Sequence, residues 1–377
     1  MPADLYYRVS IQAGGASYDL SPALSTLVVE EDTARPDQLT LTLSDPYKVY
    51  SHALREGMAV EVDLGTTEDH SVVFRGHFYQ VNGDFPQDGV PTLRLLAYDR
   101  SMRMGLRRRS RPWSNVALSD IVRTIGRDYF TVTGIRAEPR GDPEFAGNGI
   151  RQQNETDLAF LYRLATYYGC EMFVVAGDRD DALHFIDQYS LMRRTPEVTL
   201  YQGRCGVAGR LLRFEASSDV SRIQLPRAFS GIDFDTGETN EETARVEEAG
   251  NTDDSFAEEN FTAFSRHYPE RAPQLQTLTG QSEALDREIR EQLGSETREA
   301  TPGFTTAEEL RLRADNQFSN SLRGMHGSGA AVGNHRLHAQ VTIRIADGGR
   351  FSGTWYLSQV RHSLNLQGYQ TEFQCQR

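Results

Sequence analysis

Two stretches near opposite ends of the chain repeat one pattern of short β-strands in the same order. Residues 60–64 (VEVDL) correspond to 341–345 (VTIRI), and 89–92 (GVPT) correspond to 368–371 (GYQT). Between them FRGHFY corresponds to FSGTWY, so the matched residues are Phe74, Gly76 and Tyr79 in one copy and Phe351, Gly353 and Tyr356 in the other. Three elements in register predict a duplicated β unit. The shared glycine is expected at a bulge or where two backbones approach closely.

The remaining periodicity predicts an α+β chain that is mainly β. Alternating stretches punctuated by glycine fill residues 1–105, which is typical of a small antiparallel β-barrel or sandwich, and a barrel is the architecture expected here. The second copy is predicted in two pieces, 203–230 and 334–377, around an acidic, partly helical insertion at 231–333, with short amphipathic helices expected at 285–293 and 310–318. Residues 106–202 predict an α/β middle domain. The expected strands are 7–11, 39–43, 60–64, 72–81, 92–97, 211–215, 221–225, 340–345, 351–360 and 369–375.

The segment with the clearest local sequence pattern is RQQNETDLAFLYRLATYYGCEMF, residues 151–173. Asn154 is predicted as the N-cap of a helix, and the Asp157 side chain is predicted to accept a hydrogen bond from the Asn154 backbone N–H, as in a capping box. Spacings of three and four then place apolar side chains on one helical face. Gly169 is predicted to end the helix in the left-handed conformation, and a hairpin of 170–175 and 183–186 follows. The predicted apolar face comprises Leu158, Leu161, Leu164, Ala165 and Tyr168.

This segment resembles the signature of the phage late control protein D family, which is related to contractile-tail baseplate hubs and to the N-terminal part of VgrG spike proteins. The resemblance rests on QxNETDLAFLxRLA followed by tyrosine, glycine and an apolar strand. It continues in the arginine-containing link, the tryptophan at 113 and the helix expected after it. The residues that carry it are Asn154, Glu155, Asp157, Leu158, Phe160, Leu161, Arg163, Leu164 and Gly169.

The resemblance implies a structural baseplate hub of a contractile injection machine. Three copies of a chain with two similar barrels would present six similar units in a pseudo-sixfold ring. Such a homotrimer would join a hexameric inner tube protein to a spike, among other baseplate proteins. VgrG-type proteins continue into further domains, whereas this sequence ends at Arg377. A separate trimeric spike is therefore expected, as in a phage tail, a tailocin or an extracellular injection system.

The charge of the chain bears on its partners and location. A formal net charge of −13 disfavours binding to nucleic acid or to an anionic membrane. A basic run at 100–111 (RSMRMGLRRRSR) could contact phosphate or could pair with acidic groups of the protein, and the lack of interleaved aromatic residues favours pairing. No signal peptide or membrane span is expected. We expect synthesis in the cytoplasm, incorporation into a virion or released particle, and three reduced cysteines, Cys170, Cys205 and Cys375.

No catalytic, cofactor-binding or metal site is predicted. His335 and His338 have HxxH spacing, with His326 and His362 nearby in sequence, but no carboxylate or cysteine stands at ligand spacing. The glycine-rich residues 327–333 lack the flanking strand and helix of a phosphate loop and are expected to form a hinge. No GxSxG elbow is present. The alternatives to a hub are a particle-associated cell-wall hydrolase and a carbohydrate-binding β protein.

Overall fold

A computed structural model describes residues 5–145, 149–177, 180–202, 209–218, 227–232, 239–243, 255–293, 297–300 and 325–377. The fold is α+β and mainly β, as predicted, and its largest feature is a 13-stranded sheet. In the described residues, no helix has the length and apolar character required to cross a membrane.

The first β unit is an antiparallel sheet with the order β3-β4-β7-β6-β5-β1-β2. Alternating apolar residues of these strands fill one core, in which Leu27, Leu41 and Val62 are fully buried. All five strands predicted in this region are confirmed, whereas β2 and β3 were not predicted. Its elements are β1 (Leu5–Ala13), β2 (Ala16–Asp19), β3 (Leu24–Asp32), β4 (Arg35–Ser44), α1 (Val49–Ala53), β5 (Ala59–Thr66), β6 (His70–Asp84) and β7 (Thr92–Asp99).

The middle unit packs two helices on a small sheet of order β10-β14-β13, in which β10 runs parallel to β14. Two further strand pairs, β8 with β12 and β9 with β11, flank it. The predicted hairpin is confirmed as β13 and β14. The elements are β8 (Arg108–Trp113), β9 (Val116–Ala117), α2 (Leu118–Gly126), β10 (Ile135–Glu138), β11 (Glu144–Phe145), β12 (Ile150–Thr156), α3 (Asp157–Tyr167), β13 (Cys170–Val175), β14 (Ala182–Asp187) and α4 (Gln188–Met192).

The second β unit begins with β15 (Val198–Tyr201) and β16 (Leu211–Ser218). β15 pairs with β21 (Thr342–Ala346), so the unit starts before the predicted boundary at residue 203. Between β16 and β20 (Met325–Val332), the structure describes a sheet of β17 (Arg227–Ile232), β18 (Thr239–Thr243) and β19 (Thr297–Ala300), with α5 (Ser255–His267) and α6 (Ala272–Leu293). The unit closes with β22 (Gly353–Asn365) and β23 (Gly368–Gln376).

The insertion therefore lies between residues 218 and 325, and its predicted end at 333 was wrong. The expected glycine hinge at 327–333 is mostly strand β20. A Cβ on Gly329 would lie 2.3 Å from the Phe373 ring, and one on Gly327 would lie 3.0 Å from the Cys375 sulfur. These glycines leave room for the side chains of β23. The helix expected around Leu285 is confirmed within α6, whereas the predicted strand at 221–225, the helix expected at 310–318 and Cys205 lie outside the described residues.

The two β units share strand order. The first has β3-β4-β7-β6-β5-β1, and the second has β16-β20-β23-β22-β21-β15. Two bulges also recur at equivalent places. One lies between Phe78 and Gln80 in β6 and between Leu357 and Gln359 in β22. The other lies between Leu24 and Thr26 in β3 and between Leu211 and Arg213 in β16. Of these equivalent strands, only the first in each unit differs in direction: β1 is antiparallel to β5, whereas β15 is parallel to β21.

The register of the duplication differs from the one predicted from the sequence. Val62 pairs with Phe74 in the first unit, and Ile345 pairs with Gly353 in the second. Phe78 and Leu357 begin the shared bulge, so Phe74 is equivalent to Gly353, and Gly76 to Trp355, which is a shift of two residues from the predicted match. Phe351 ends a 3-10 turn before β22. Strands alternate their faces with a period of two, so this shift preserves which residues point inward.

The two units are joined edge to edge. The first half of β22 pairs with β21, and on the same side its second half pairs with β3 of the first unit. The register runs from Gln359 opposite Asp32 to Leu364 opposite Leu27. Strand β3 thereby makes both units parts of one sheet.

Candidate functional site

The signature helix α3 begins at Asp157 and not where the sequence predicted. The Thr156 hydroxyl oxygen accepts the Ala159 N–H at 3.1 Å, so Thr156 is the N-cap. Asn154 has a φ of 47° and lies at an irregularity between Gln152 and Glu155 in the pairing of β12 with β8. Its N–H donates to the Ser110 hydroxyl at 3.0 Å. The predicted capping box was therefore wrong, because the bulge uses Asn154 before the helix starts.

Asp157 instead forms a buried ionic centre of the middle unit. Its side chain is fully buried. One carboxylate oxygen accepts the Tyr129 hydroxyl and the other accepts the Gln152 amide, both at 2.8 Å. Burial and then this hydrogen bond to Asp157 raise the pKa of Tyr129 to about 12. Arg109 and Arg111 approach the same carboxylate at 3.5 and 3.7 Å.

The remaining signature residues have structural positions. Phe160, Leu161 and Leu164 are fully buried, and Leu158 is half-buried against the same core. Gly169 has a φ of 62° directly after the helix, as predicted. Glu155 pairs with Arg163 at 2.6 Å, and Arg163 also donates to the Arg151 carbonyl at 2.9 Å. The signature thus fixes how the β12–α3 corner is built.

The basic run contacts groups of the protein itself. Arg109 pairs with Asp128 at 3.0 Å besides approaching Asp157, and Arg108 donates to the Asn154 carbonyl at 2.8 Å. Arg103 donates to the His77 imidazole at 2.7 Å. Burial and the neighbouring Arg103 lower the pKa of His77 to about 4. These contacts favour pairing over phosphate binding.

The middle unit contacts the outer faces of both β units. From β6, Arg75 pairs with Glu61 at 2.7 Å and reaches across to Asp181 at 3.1 Å. From β22, the buried Tyr356 hydroxyl donates to Glu171 of β13. Both contacts reach the β13–β14 hairpin region, which therefore packs against both duplicated units.

The residues of the predicted repeat motif lie close together in each unit but serve different purposes. A Cβ on Gly76 would lie 2.1 Å from the Tyr98 carbonyl oxygen, so the expected close backbone approach exists there. Gly353 has a φ of 125° and packs against the Arg377 guanidinium. Tyr79 stands at the bulge of β6 with its ring edge against Tyr98, at a centroid distance of 5.4 Å.

A cluster of ionisable groups occupies the junction between the two units. The His338 Nδ1 lies 2.9 Å from one oxygen of Glu31, and the other oxygen accepts the Ala339 N–H at 2.9 Å. His362 Nε2 lies 3.8 Å from Glu31 and 2.9 Å from the Leu337 carbonyl. The Tyr369 hydroxyl lies 2.8 Å from His362 Nδ1. The sequence missed this cluster because Glu31 stands 307 residues from His338.

The protonation of these groups follows from their contacts. Burial lowers the pKa of His362 to about 4. Burial alone would raise the pKa of Glu31, but the charge of His338 and its hydrogen bond lower it below the ordinary value. For His338, burial lowers the pKa, but the charge of Glu31 and the hydrogen bond to it outweigh burial and raise the pKa above its ordinary value.

In each β unit, one strand edge has no partner strand among the described residues, whereas the equivalent edge of the other unit is paired. Among the described residues, β16 pairs only with β20, although its counterpart β3 also pairs with β22. In the residues that the structure describes, the end of β6 (80–84) pairs only with β7, although the equivalent half of β22 also pairs with β3. Phe214 and Ala216 in β16 are half-exposed, whereas the equivalent Leu27 and Val29 in β3 are fully buried.

Comparison with known proteins identifies a family. The model of the phage tail baseplate hub (GPD) family matches residues 38–368. No curated protein sequence matches the chain.

Several solved structures share the fold. The tail protein from Neisseria meningitidis MC58 has a TM-score of 0.64 and 13% identity, over 98% of this chain and 96% of that one. The 43 kDa tail protein of prophage MuSo2 from Shewanella oneidensis has a TM-score of 0.61 and 14% identity, over 98% of both chains. The E. coli c3393 protein, a type VI secretion component similar to T4 bacteriophage tail proteins gp27 and gp5, has a TM-score of 0.55 and 12% identity, over 94% of this chain and 73% of that one.

Proposed function

Because the chain belongs to the phage tail baseplate hub family, we propose that it is a homotrimeric hub whose six β units form a pseudo-sixfold ring. This ring joins a hexameric inner tube protein to a separate trimeric spike and contacts other baseplate proteins. The protein acts as a structural part of a virion or released contractile particle and has no catalytic role.

The observation that carries this proposal is the edge pairing of β22 with β3. In the first unit, residues 80–84 of β6 correspond to the part of β22 that holds β3. In the second unit, β16 corresponds to β3. The β6 edge of one copy can therefore take the β16 edge of the next copy in the same way. Transfer of the register places Asn82 opposite Ser217, because Arg361 stands opposite Glu30 within the chain.

The apolar side chains support this pairing. Leu27 and Val29 are buried on β3 where it joins β22, and their counterparts Phe214 and Ala216 are half-exposed. A second copy would cover them and would satisfy the open backbone groups, which otherwise form an unprotected sheet edge. A head-to-tail contact of this kind closes into a ring when its rotation matches the symmetry. If the contact between copies repeats the junction within the chain, three chains give six equivalent steps.

The test is a disulfide across the proposed contact. We expect Asn82→Cys combined with Ser217→Cys to form intermolecular disulfides under mild oxidation, because directly opposed residues of paired strands lie within bridging distance. Non-reducing gel electrophoresis should show monomer, dimer and trimer bands and no larger species, and light scattering should give the mass of a trimer. The spike protein is added if the chain alone does not assemble.

The controls separate this register from random contact. Asn82→Cys with Ala216→Cys is one residue out of register, which turns the second thiol to the opposite face, and should cross-link weakly. The single variants should give dimers at most. A stable dimer in the presence of spike, or equal cross-linking by both double variants, would exclude the ring. Clearing of peptidoglycan by the purified chain would contradict the absence of a catalytic role.

A further inference from the structure

The junction between the two β units brings together three side chains with the composition of a metal site. Glu31 lies on β3 of the first unit, His362 lies on β22 of the second, and His338 lies in the segment that precedes β21. Each of them offers a ligand atom, and these atoms lie within 4.8 Å of one another. We propose that Glu31, His338 and His362 bind one divalent transition-metal ion of the Zn²⁺ class.

The separations are close to those that such an ion requires. Bonds of about 2.0–2.1 Å in a tetrahedral site place neighbouring ligand atoms about 3.3 Å apart. His338 Nδ1 lies 2.9 Å from Glu31 Oε1, and His362 Nε2 lies 3.8 Å from the same oxygen. The His338–Glu31 pair must open and the His362–Glu31 pair must close, by side-chain rotation of the two histidines. Two imidazoles and one carboxylate favour Zn²⁺ over Ca²⁺ or Mg²⁺, which prefer oxygen ligands.

The groups behind the three side chains are those that orient metal ligands. The Ala339 N–H holds the second oxygen of Glu31 at 2.9 Å, which leaves the first oxygen directed at the histidines. His362 Nδ1 lies 2.8 Å from the Tyr369 hydroxyl and 3.2 Å from that of Thr371. In the structure His362 Nε2 lies 2.9 Å from the Leu337 carbonyl oxygen, which only accepts, so Nε2 carries the ring proton. Metal binding therefore requires the proton to move to Nδ1, where either hydroxyl oxygen accepts it, and the ring to turn its Nε2 lone pair from the carbonyl to the ion. Such partners fix the tautomer and direction of ligating histidines.

Access and a fourth ligand come from the solvent side. The side chain of His338 is 32% exposed, whereas Glu31 is 5% exposed and His362 is fully buried. An ion therefore reaches the cluster past His338, and a water molecule completes the tetrahedron there. Once bound, the ion ties β3 of the first unit to β22 and to the segment carrying His338. This fastening operates within a single chain, so it does not depend on the proposed ring.

The test uses the full chain after removal of metals with a chelator. Titration with Co²⁺ should produce the visible absorption bands of a four-coordinate ion at one equivalent per chain, and Zn²⁺ should displace it. Zn²⁺ should also raise the melting temperature. We expect His338→Ala and Glu31→Gln each to weaken Zn²⁺ affinity roughly 100-fold or more, since loss of even a supporting partner costs 10–100-fold.

Two further variants make the result specific. His335→Ala changes a histidine of the same segment that lies outside the trio, and it should leave Zn²⁺ affinity unchanged. His338→Cys should keep the site and add a thiolate-to-Co²⁺ charge-transfer band, which also shows that changes at residue 338 leave the chain folded. Absence of Co²⁺ binding at one equivalent, or equal losses in His335→Ala and His338→Ala, would show that the cluster is held by hydrogen bonds alone.

Discussion

Replacement of Asp157 by alanine is the sharpest test of how the signature segment stabilises the protein. The buried carboxylate accepts hydrogen bonds from Tyr129 and Gln152 at 2.8 Å and lies near two arginines. It is also the first residue of α3, where a negative charge favours the helix dipole. Alanine removes all of these interactions and leaves the donors behind.

The expected loss can be worked from these contacts. Each of the two hydrogen-bond donors left without its acceptor costs about 1–2 kcal/mol, and the lost charge at the helix start adds about 0.3–1 kcal/mol. Arg109 and Arg111 keep Asp128 as a partner, at 3.0 and 3.8 Å. We therefore expect Asp157→Ala to lower the free energy of unfolding by about 3–4 kcal/mol, near the range for breaking a buried ion pair. Asp157→Asn keeps the volume and should cost about 1–2 kcal/mol.

The assay is urea denaturation followed by tryptophan fluorescence. The chain has two tryptophans, and Trp113 stacks on Phe160 of α3 with a centroid distance of 6.4 Å. The Arg111 guanidinium lies 5.9 Å from the Trp113 ring, so this fluorophore reports on the affected network. All variants are compared in a Trp355→Phe background, which removes the signal of the second β unit.

Asp128→Ala is the matched control. Asp128 contacts the same two arginines, but its side chain is 49% exposed. Exposed ion pairs contribute about 0–1 kcal/mol, so this variant should lose less than about 1 kcal/mol. Equal losses for Asp128→Ala and Asp157→Ala would refute the role given to burial, as would a loss below about 1 kcal/mol for Asp157→Ala.

Three further changes test other parts of the fold. Gly169→Ala should cost about 1–2 kcal/mol in urea denaturation because φ is 62° there, whereas Gly280→Ala, inside α6 with open space around it, should stabilise the protein slightly. The free energy of unfolding should fall as pH drops from about 6.5 towards 4, because the pKa of His77 is about 6.5 in the unfolded chain and about 4 in the folded one, so the unfolded chain binds the proton first. His77→Asn should make this fall smaller, and an unchanged slope would contradict the explanation. Replacing residues 219–324 by Thr-Ala should leave Trp355 fluorescence and a cooperative melt intact, because Ser218 and Met325 are already strand partners; loss of soluble protein would show that the insertion belongs to the core.

Most of the strands predicted from the sequence are confirmed, but β3, which joins the units, was missed. The buried positions of β3 alternate as Leu27, Val29 and Glu31. The third of them is a charged residue on the core side, where it meets His338. A pattern that needs an apolar residue at that position ends at Val29 and is then too short to indicate a strand. Local rules fail here because a distant partner satisfies the charge.

The duplication was found from sequence, but its residue register was not. FxGx-aromatic-Y was matched letter for letter, whereas the shared bulge aligns Gly76 with Trp355. A shift of two residues keeps every side chain on its face, so alternation cannot distinguish the two alignments. Only the shared bulges in the ladders identify the equivalent residues, and a bulge depends on the partner strand.

The one departure from perfect duplication bears on the proposed ring. β1 runs antiparallel to β5, whereas β15 enters from the middle unit after α4 and runs parallel to β21. This strand lies beside β21, and it meets the residues directly before β16 in a single bridge between Tyr201 and Arg210. The strands that supply the contact, β3 and β22 within the chain and β16 and β6 between copies, belong to the part that does repeat. The difference therefore changes how the chain enters the second unit and leaves the joining edges equivalent.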